Sequence, residues 1–409
     1  MDSMKTPKIR FSGFTDDWEQ RKLGDIATKV TTKNAGTQYV ETLTNSAEFG
    51  IISQRDFFDH DVSNMDNIDG YYIVEDDAFV YNPRISTSAP VGPINRNKLG
   101  RAGVMSPLYT VFKTHDVNTE YLEWFFKSTK WHPFMKFNGD SGARSDRFSI
   151  KDAVFFEMPI PIPDIVEQEK IGKYFTELDN LITLHQHKLD NIKNYKKAML
   201  QKMFPKEGES VPEIRFPEFT DDWEQRKFTD GVSEIGDGLH GTPIYCDDGD
   251  VFFINGNNLS DGNIMITSET KMVNANQKSK ADESLDDSTI LMSINGTIGN
   301  LAYYNGENIM LGKSAAYIKV SNFDNKFVYA YLQAPSVQDY FMDRLTGTTI
   351  KNLGLKAIRE MKIVVPQDLE EQKVIGLYFY ILDNLITLHQ QKIEKMKWMK
   401  KALLQNMFV

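Results

Sequence analysis

Two stretches of the chain, residues 167–204 and 371–408, place apolar side chains at alternating steps of four and three residues. A repeat of about 3.5 residues over so long a segment is typical of a coiled-coil seam rather than of an ordinary amphipathic helix. At about 1.5 Å per residue, each stretch predicts a helical rod of roughly 57 Å. The predicted seam residues are Ile171, Phe175, Leu178, Ile182, Leu189, Ile192, Met199, Ile375, Phe379, Leu382, Ile386, Ile393, Met396 and Leu403.

The two predicted helices are copies of each other. Twenty-four of their 38 positions are identical, including the block LDNLITLHQ, and residues 7–22 match residues 212–227 at thirteen of sixteen positions. Two repeats of about 205 residues do not fit a solenoid, which stacks many short units. The pattern indicates a gene duplication with pseudo-twofold symmetry and two dissimilar segments between the repeats. The two helices most simply pack against each other, and an antiparallel pairing would place the dissimilar segments at opposite ends of the rod.

Both helices begin near an aspartate that is followed three residues later by a glutamate, Asp164 with Glu167 and Asp368 with Glu371. An aspartate at the N-cap accepts backbone N–H groups, and a glutamate at this spacing resembles a capping box. We therefore interpret these carboxylates as helix caps.

The dissimilar segments alternate short β-rich runs with turn signals and contain helical stretches further on, which predicts an α+β fold with a curved sheet and flanking helices. The predicted strands are Val251–Ile254, Thr289–Ser293, Leu301–Tyr304, Ala315–Val320, Tyr71–Val74, Ala78–Tyr81 and Tyr109–Phe112. The predicted helices run around Thr119–Lys130 and Phe327–Leu345.

The formal net charge of −10 excludes binding to nucleic acid through overall charge alone, because phosphate binding needs clustered Lys and Arg. The charges are nevertheless separated along the chain: residues 78–115 contain five basic side chains and no carboxylate. Such a chain can present a basic face to DNA.

Two Gly-rich polar loops, residues 141–147 and 346–352, occupy corresponding places about thirty residues before each long helix. Small residues let a backbone approach phosphates, and Ser, Thr and Arg can bond backbone or bases; an ordinary surface loop is the alternative. From charge and loop position, the candidate DNA-binding residues are Arg84, Arg96, Lys98, Arg101, Lys136, Arg144, Ser145, Arg147, Lys313, Arg344, Thr346, Thr348, Thr349 and Lys351.

Candidate catalytic chemistry is sparse. We find no phosphate-binding glycine motif, and Lys373 beside the acidic pair of the second helix has Glu169 as its counterpart, which argues against a nuclease site. The histidines His185 and His389 fall at matching seam positions, where a polar residue that fixes helix register is favoured over a metal pair or a pH switch. We predict no catalytic residues and no metal site.

The single cysteine, Cys246, excludes a disulfide framework and fits a reducing compartment. The first residues lack the apolar core of a signal peptide, and no apolar run is long enough for a membrane span. We expect a soluble cytoplasmic protein.

The repeated frame resembles the specificity (S) subunit of type I restriction-modification systems. The resemblance covers essentially the whole chain and rests on IRFSGFTDDWEQRKLGDI with its repeat, and on the duplicated helices that end in Lys-Lys-Ala-x-Leu-Gln-x-Met-Phe. It implies a non-catalytic subunit of a restriction endonuclease and adenine methyltransferase complex, in which two target-recognition domains each read one part of a bipartite, non-palindromic DNA target. An antiparallel two-helix coiled coil would join them, set their spacing and dock two methyltransferase subunits, and two restriction subunits would join the complex.

The resemblance places S-adenosylmethionine, ATP and Mg in the partner subunits and none of them in this chain. The implied organisation is an N-terminal repeated segment (1–16), target-recognition domain 1 (17–160), conserved helix 1 (161–206), a linker with repeated segment (207–221), target-recognition domain 2 (222–363) and conserved helix 2 (364–409). Two rival hypotheses stay open: a coiled-coil scaffold with two ligand-binding domains, and a stand-alone DNA-modifying enzyme with an unrecognised active site.

Overall fold

A computed structural model describes residues 6–57, 65–141, 146–206 and 208–409. The chain forms two compact units. Unit 1 consists of the residues up to Leu184 together with Ile393–Val409, and unit 2 consists of His185–Lys392. Each unit therefore contains one part of each long helix.

Unit 1 is built from short strands and short helices that precede the first long helix. Its strands are β1 Glu19–Lys22, β2 Ala27–Lys29, β3 Leu43–Ser46, β4 Gly50–Ser53, β5 Tyr72–Val74, β6 Phe79–Tyr81, β7 Ile94–Arg96, β8 Gly103–Met105, β9 Thr110–Thr114 and β10 Pro159–Ile162. The helices that begin in it are α1 Gln54–Phe57, α2 Thr119–Lys127, α3 His132–Asn138, α4 Asp152–Phe155 and α5 Ile165–Lys202.

Unit 2 repeats this order with additional strands. Its strands are β11 Glu224–Lys227, β12 Val232–Asp237, β13 Val251–Ile254, β14 Leu259–Ser260, β15 Asn263–Ile264, β16 Met272–Val273, β17 Thr289–Ser293, β18 Leu301–Tyr303, β19 Ile309–Leu311, β20 Ala315–Val320, β21 Leu345–Thr346, β22 Asn352–Leu353 and β23 Lys362–Val365. Its helices are α6 Lys280–Glu283, α7 Asn325–Leu332, α8 Pro335–Met342, α9 Leu355–Arg359 and α10 Leu369–Asn406.

The main sheets of the two units have the same plan. Four antiparallel strands run in the order β2-β9-β6-β7 in unit 1 and β12-β20-β17-β18 in unit 2. In both, the central strands are buried and pack against the helix that follows the sheet, α2 or α7. The α+β class predicted from the alternating runs is confirmed, and two segments without obvious sequence similarity share one architecture.

The helical stretch predicted around Phe327–Leu345 consists of two helices, α7 and α8, with a break between them. Ala334 is extended, with ψ of 140°, and Pro335 opens α8. A proline has no N–H to donate to the preceding turn and disfavours the helical conformation in the residue before it, so α7 ends here.

The glutamates interpreted as helix caps have a different role. Asp164 does cap α5, since its Oδ1 accepts from the Val166 amide at 2.8 Å. Glu167 is instead fully buried and accepts two hydrogen bonds from Arg10, at 2.7 and 2.8 Å, and one from the Trp18 indole at 3.1 Å. Hydrogen bonding to this carboxylate raises the pKa of Arg10.

Unit 2 repeats this arrangement with Arg215, Trp223 and Glu371, at 2.6, 2.7 and 3.2 Å. We call each set of three residues a clamp. The clamps account for two of the residues that the segments 7–22 and 212–227 share, the arginine and the tryptophan, because both hold the buried carboxylate near the start of a long helix.

The long helices bury the predicted seam and pack with the start of one against the end of the other. In unit 1 the ring of Phe175 stacks on Phe408 with centroids 6.0 Å apart, and in unit 2 Phe379 stacks on Phe204 at 5.6 Å. Most seam residues are buried, while Ile192, Met199 and Leu403 are partly buried. The antiparallel pairing of the fold prediction is therefore present within each unit.

Matching ion pairs link the two helices beside the seam. Lys400 binds Asp179 in unit 1, and Lys196 binds Asp383 in unit 2. The two pairs are counterparts, since Asp383 and Lys400 follow Asp179 and Lys196 by the same 204 positions. A shift of either helix by one turn would separate both pairs. They complement the seam in setting the helix register.

Candidate nucleic-acid interface

The second Gly-rich loop is the tip of a hairpin in unit 2. Leu345 pairs with Leu353 and Thr346 with Asn352, and Gly347 turns the chain with a φ of +87°. A Cβ at Gly347 would lie 2.3 Å from a backbone oxygen, so both the space and the dihedral angle favour glycine. The tip that follows, residues 348–351, is exposed.

Backbone hydrogen bonds bring four more loops to this hairpin, and we call the whole set loop cluster 2. Gly296 donates to the Lys351 carbonyl at 3.1 Å, and Ile294 donates to Ser314 at 3.0 Å. In the segment after Leu311, the Lys313 amide donates to the Leu239 carbonyl at 2.9 Å. The Ser314 hydroxyl of the same segment accepts from the Gly256 amide at 2.9 Å. Loop cluster 2 consists of residues 238–240, 255–258, 294–299, 312–314 and 345–353.

The chemistry of loop cluster 2 suits the edges of base pairs. Its five segments contain no aspartate or glutamate, but they carry asparagines, threonines, a serine and two lysines, Lys313 and Lys351. Both lysines are exposed. Amide and hydroxyl groups donate and accept at base edges, and lysines neutralise phosphates, so segments of this composition favour a nucleic-acid ligand. The adjacent carboxylate of Asp237 is bonded to His240.

In unit 1 the described residues on either side of the first Gly-rich loop pair with each other. Asp140 and Ser149 exchange two backbone hydrogen bonds, at 3.1 and 2.7 Å, and the second arm pairs with the loop after β6. There Phe148 donates to Pro83 at 2.7 Å, which sets Arg84 opposite Arg147. We call residues 82–86, 139–141 and 146–149 loop cluster 1.

The predicted basic residues of unit 1 fall into two groups. Arg84 and Lys136 are exposed and Arg147 is partly exposed, all in or beside loop cluster 1. Arg144 and Ser145 lie outside the described residues.

The other three basic residues are bound to carboxylates of their own unit. Arg96 bonds Glu123 and Asp77 at 2.9 and 3.0 Å with a side chain that is 9% exposed, and Lys98 also binds Glu123, at 3.3 Å. Arg101 forms two hydrogen bonds of 2.7 Å with Glu41, which raise the pKa of Arg101. Since these charges are already compensated, they support phosphate binding less than Arg84 and Arg147 do.

The remaining candidates in unit 2 lie in or next to the hairpin. Thr346 uses its hydroxyl to bond Asn352 at 3.2 Å, whereas Thr348 and Thr349 are exposed at the tip. The Arg344 guanidinium lies 3.6 Å over the ring of Tyr340, which holds it at the foot of the hairpin.

Two exposed apolar residues, which the sequence pattern does not predict as site residues, lie beside these basic groups. Ile350 at the hairpin tip of unit 2 is 63% exposed, and Phe137 next to Lys136 in unit 1 is 89% exposed. An apolar side chain can contact a thymine methyl group or a base face. Hydrophobicity alone assigns such residues to a core, and only their exposure distinguishes them.

The described part of the chain offers no other obvious chemical centre. Within it, no group of three or more His, Cys, Asp and Glu side chains is placed to hold a metal ion. Nor is any helix among these residues both long and apolar enough to cross a membrane.

Comparison with known proteins places this architecture in a family. The family model of the type I restriction modification DNA specificity domain matches residues 15–194 and again residues 220–397. Among curated relatives, a putative type I restriction enzyme MjaX specificity subunit of Methanocaldococcus jannaschii is 28% identical over 273 residues, 63% of this chain and 60% of the relative. The type I restriction enzyme MjaVIII specificity subunit of the same organism is 23% identical over 318 residues, 75% of this chain and 73% of the relative. The match thus spans less than two thirds of the first relative.

Solved structures show the same fold. The S subunit of a type I restriction-modification system from M. genitalium has a TM-score of 0.58 at 13% identity, with 99% of each chain covered. A chain from a structure on complex assembly and conformational transition of the type I R-M system has a TM-score of 0.54 at 14% identity, with 96% of this chain and 98% of that chain covered. With both of its halves matched by the family model, the chain belongs to the type I restriction modification DNA specificity domain family and carries that domain twice.

Proposed function

We propose that this chain is the DNA-recognition subunit of a type I restriction-modification complex and has no catalytic role of its own. The observation that supports the proposal is the pair of loop clusters, in each of which the paired arms beside a Gly-rich loop meet the loop after a central strand. Loop cluster 1 would read one part of a bipartite target and loop cluster 2 the other. Because the clusters differ in residues, the two parts would differ in sequence and the target would not be a palindrome.

The long helices supply the docking sites for partners in this proposal. The block LDNLITLHQ is identical in both copies, and the fold explains its seam residues, aspartate and histidine. It does not explain the outward-facing leucines Leu181 and Leu184, or their counterparts Leu385 and Leu388, which are all exposed. Two identical apolar patches fit two copies of one partner, the methyltransferase subunit.

The remaining parts of the complex follow from the family. Two restriction subunits would join the methyltransferases, and those partners would bring S-adenosylmethionine, ATP and Mg. The complex would act in the cytoplasm, where its DNA substrate lies.

An exchange of segments tests the assignment of readers. Residues 23–160 are replaced by the corresponding segment of a relative with a different target, the complex with methyltransferase subunits is assembled, and bound sequences are selected from a random DNA pool. We expect one half-site to change while the other half-site and the spacer stay the same. Replacing residues 228–363 is the matched control and should change only the other half-site. If both half-sites change together, or if neither protein enriches any gapped sequence, separate DNA readers are excluded and the scaffold hypothesis gains support.

A further inference from the structure

The outward face of α10 in unit 2 is more apolar than the corresponding face of α5 in unit 1. Leu377, Ile381, Leu385 and Leu388 are all exposed, and their spacing places them within about 80° of one helix face, opposite the seam. Leu377 and Ile381, which are 47% and 49% exposed, extend the shared leucine pair by two turns. Unit 2 thus presents a continuous stripe of four aliphatic side chains.

Unit 1 interrupts this stripe with charge. The counterparts of Leu377 and Ile381 are Lys173 and Glu177, which form an exposed ion pair with 3.9 Å between Nζ and Oε1. A partner that covers this face has to remove both charges from water, and an ion pair recovers little of that cost. Only the shared leucine pair remains as apolar contact surface.

A cavity adjoins the stripe in unit 2. Its volume is about 620 Å³, and its wall combines Leu377, Tyr303 and Tyr380 with the charged side chains of Asp287, Asp324, Lys326 and Lys373. The Lys326 ammonium group lies 4.1 Å over the ring of Tyr380 and closes one side. At the place of Tyr380, α5 has Thr176, whose hydroxyl accepts from the Trp124 indole. The cavity is therefore a mixed polar and apolar recess beside the stripe, and the additional apolar contact surface of unit 2 is the stripe itself.

We propose that the two docking faces are unequal and that unit 2 binds its methyltransferase subunit first and at least about tenfold more tightly than unit 1. This inference rests on the proposed function, because the occupant of both faces is the same partner. The two extra aliphatic side chains are each about half exposed, and burying that much apolar surface corresponds to roughly a 10- to 150-fold gain in affinity. Assembly then passes through a complex with one methyltransferase on unit 2.

The test is a titration of the full chain with the methyltransferase subunit of the same system, followed by native mass spectrometry and calorimetry. At one equivalent we expect the singly occupied complex to dominate, with two dissociation constants at least tenfold apart. Hydrogen exchange of that complex should protect residues 369–392 before residues 165–184. A statistical mixture of empty, singly and doubly occupied chains would overturn the inequality.

Two reciprocal variants make the comparison specific. L377K/I381E gives unit 2 the charges of unit 1 and should weaken the tight step until both steps coincide. K173L/E177I gives unit 1 the apolar pair and should strengthen the weak step by about tenfold or more. All four positions are exposed, so the thermal midpoints should match that of the parent chain, which is checked first. If neither variant changes the two dissociation constants, the proposal that this surface causes the inequality is refuted. If the parent chain binds no methyltransferase at all, the proposed function itself is refuted.

Discussion

At the scale of single residues, the clamps show how a buried charge organises this fold. Glu167 and Glu371 are inaccessible to solvent, yet each is satisfied by a two-pronged arginine and an indole. Removing one partner from such a site leaves an uncompensated charge in the interior. Each clamp therefore links a repeated segment to the start of a long helix. We expect the loss of its arginine to cost much more than the loss of an exposed ion pair, because the glutamate is buried.

We expect Arg10→Ala to lower the free energy of unfolding of unit 1 by about 3 kcal/mol, because Glu167 then stays buried without its partner. The measurement is chemical denaturation, with hydrogen exchange of the α2 amides as the probe of unit 1. Lys8→Ala changes an exposed neighbour and should stay within about 0.5 kcal/mol of the parent chain. Equal stability of the Arg10 and Lys8 variants would mean that the clamp does not stabilise unit 1.

At the scale of elements, the helix pair of unit 2 contains a histidine contact. The Nδ1 atoms of His185 and His389 lie 3.0 Å apart, so one ring donates and the other accepts, and both cannot be charged without repulsion. Burial lowers the pKa of His185, and the nearby charges of Lys392, His389 and Lys188 lower it further. The pair is thus a polar contact between neutral rings. Such a contact is consistent with the interpretation of these histidines as residues that fix the helix register.

This contact predicts a pH dependence of stability. The folded pKa of His185 lies below the unfolded value of about 6.5, so the unfolded chain takes up the proton more readily. The contribution of His185 is fully present above pH of about 6.5 and is lost as the pH falls toward the folded pKa. We expect the melting temperature of unit 2 to fall between pH 7 and pH 5, and His185→Gln to flatten that slope.

His187→Gln is the control for this measurement, since His187 is exposed on the same helix and should leave the slope as it is. Parallel slopes for the parent chain and the His185 variant would show that the contact does not respond to pH in this range.

At the scale of the whole molecule, the core of each unit is completed by a phenylalanine that follows the C-terminal end of a long helix. Unit 1 uses the phenylalanine after α10, and unit 2 uses the one after α5. Phe408 is 1% exposed and packs on Tyr121, Phe125 and Phe175 of unit 1. Phe204 fills the equivalent place in unit 2. The two units therefore have matching cores, but the completing phenylalanine lies at a different place in the sequence. Phe204 precedes most of unit 2, whereas Phe408 follows all other elements of unit 1.

Phe408→Ala and Phe204→Ala form a matched pair of tests. Each removes a buried ring and should destabilise its own unit by about 3 to 5 kcal/mol. Hydrogen exchange in α2 reports on unit 1 and in α7 on unit 2, so the first variant should accelerate exchange in α2 and the second in α7. Loss of protection in both helices from either variant would show that the units do not unfold separately.

Much of this architecture could be predicted from the sequence, and the parts that could not share a physical cause. A seam repeats every few residues, so local periodicity reveals α5 and α10. The role of Glu167 depends on Arg10, which lies 157 positions away in sequence. A local motif indicates only a helix cap at this position, because it contains no information about so distant a partner. The availability of Arg84 and the engagement of Arg96 likewise depend on distant carboxylates. Exposed apolar residues such as Ile350 resemble core residues until the fold places them.

The composition of unit 1 also bears on how the chain is made. Ribosomes deliver a chain from its N-terminus, and the leading domain of a multidomain protein generally folds first. Here the leading unit includes Ile393–Val409, whereas unit 2 is complete once Lys392 has emerged. Until synthesis reaches Phe408, the rings of Tyr121 and Phe175 lack their cover. All residues of unit 2 are therefore available 17 positions before those of unit 1, although unit 1 begins the chain.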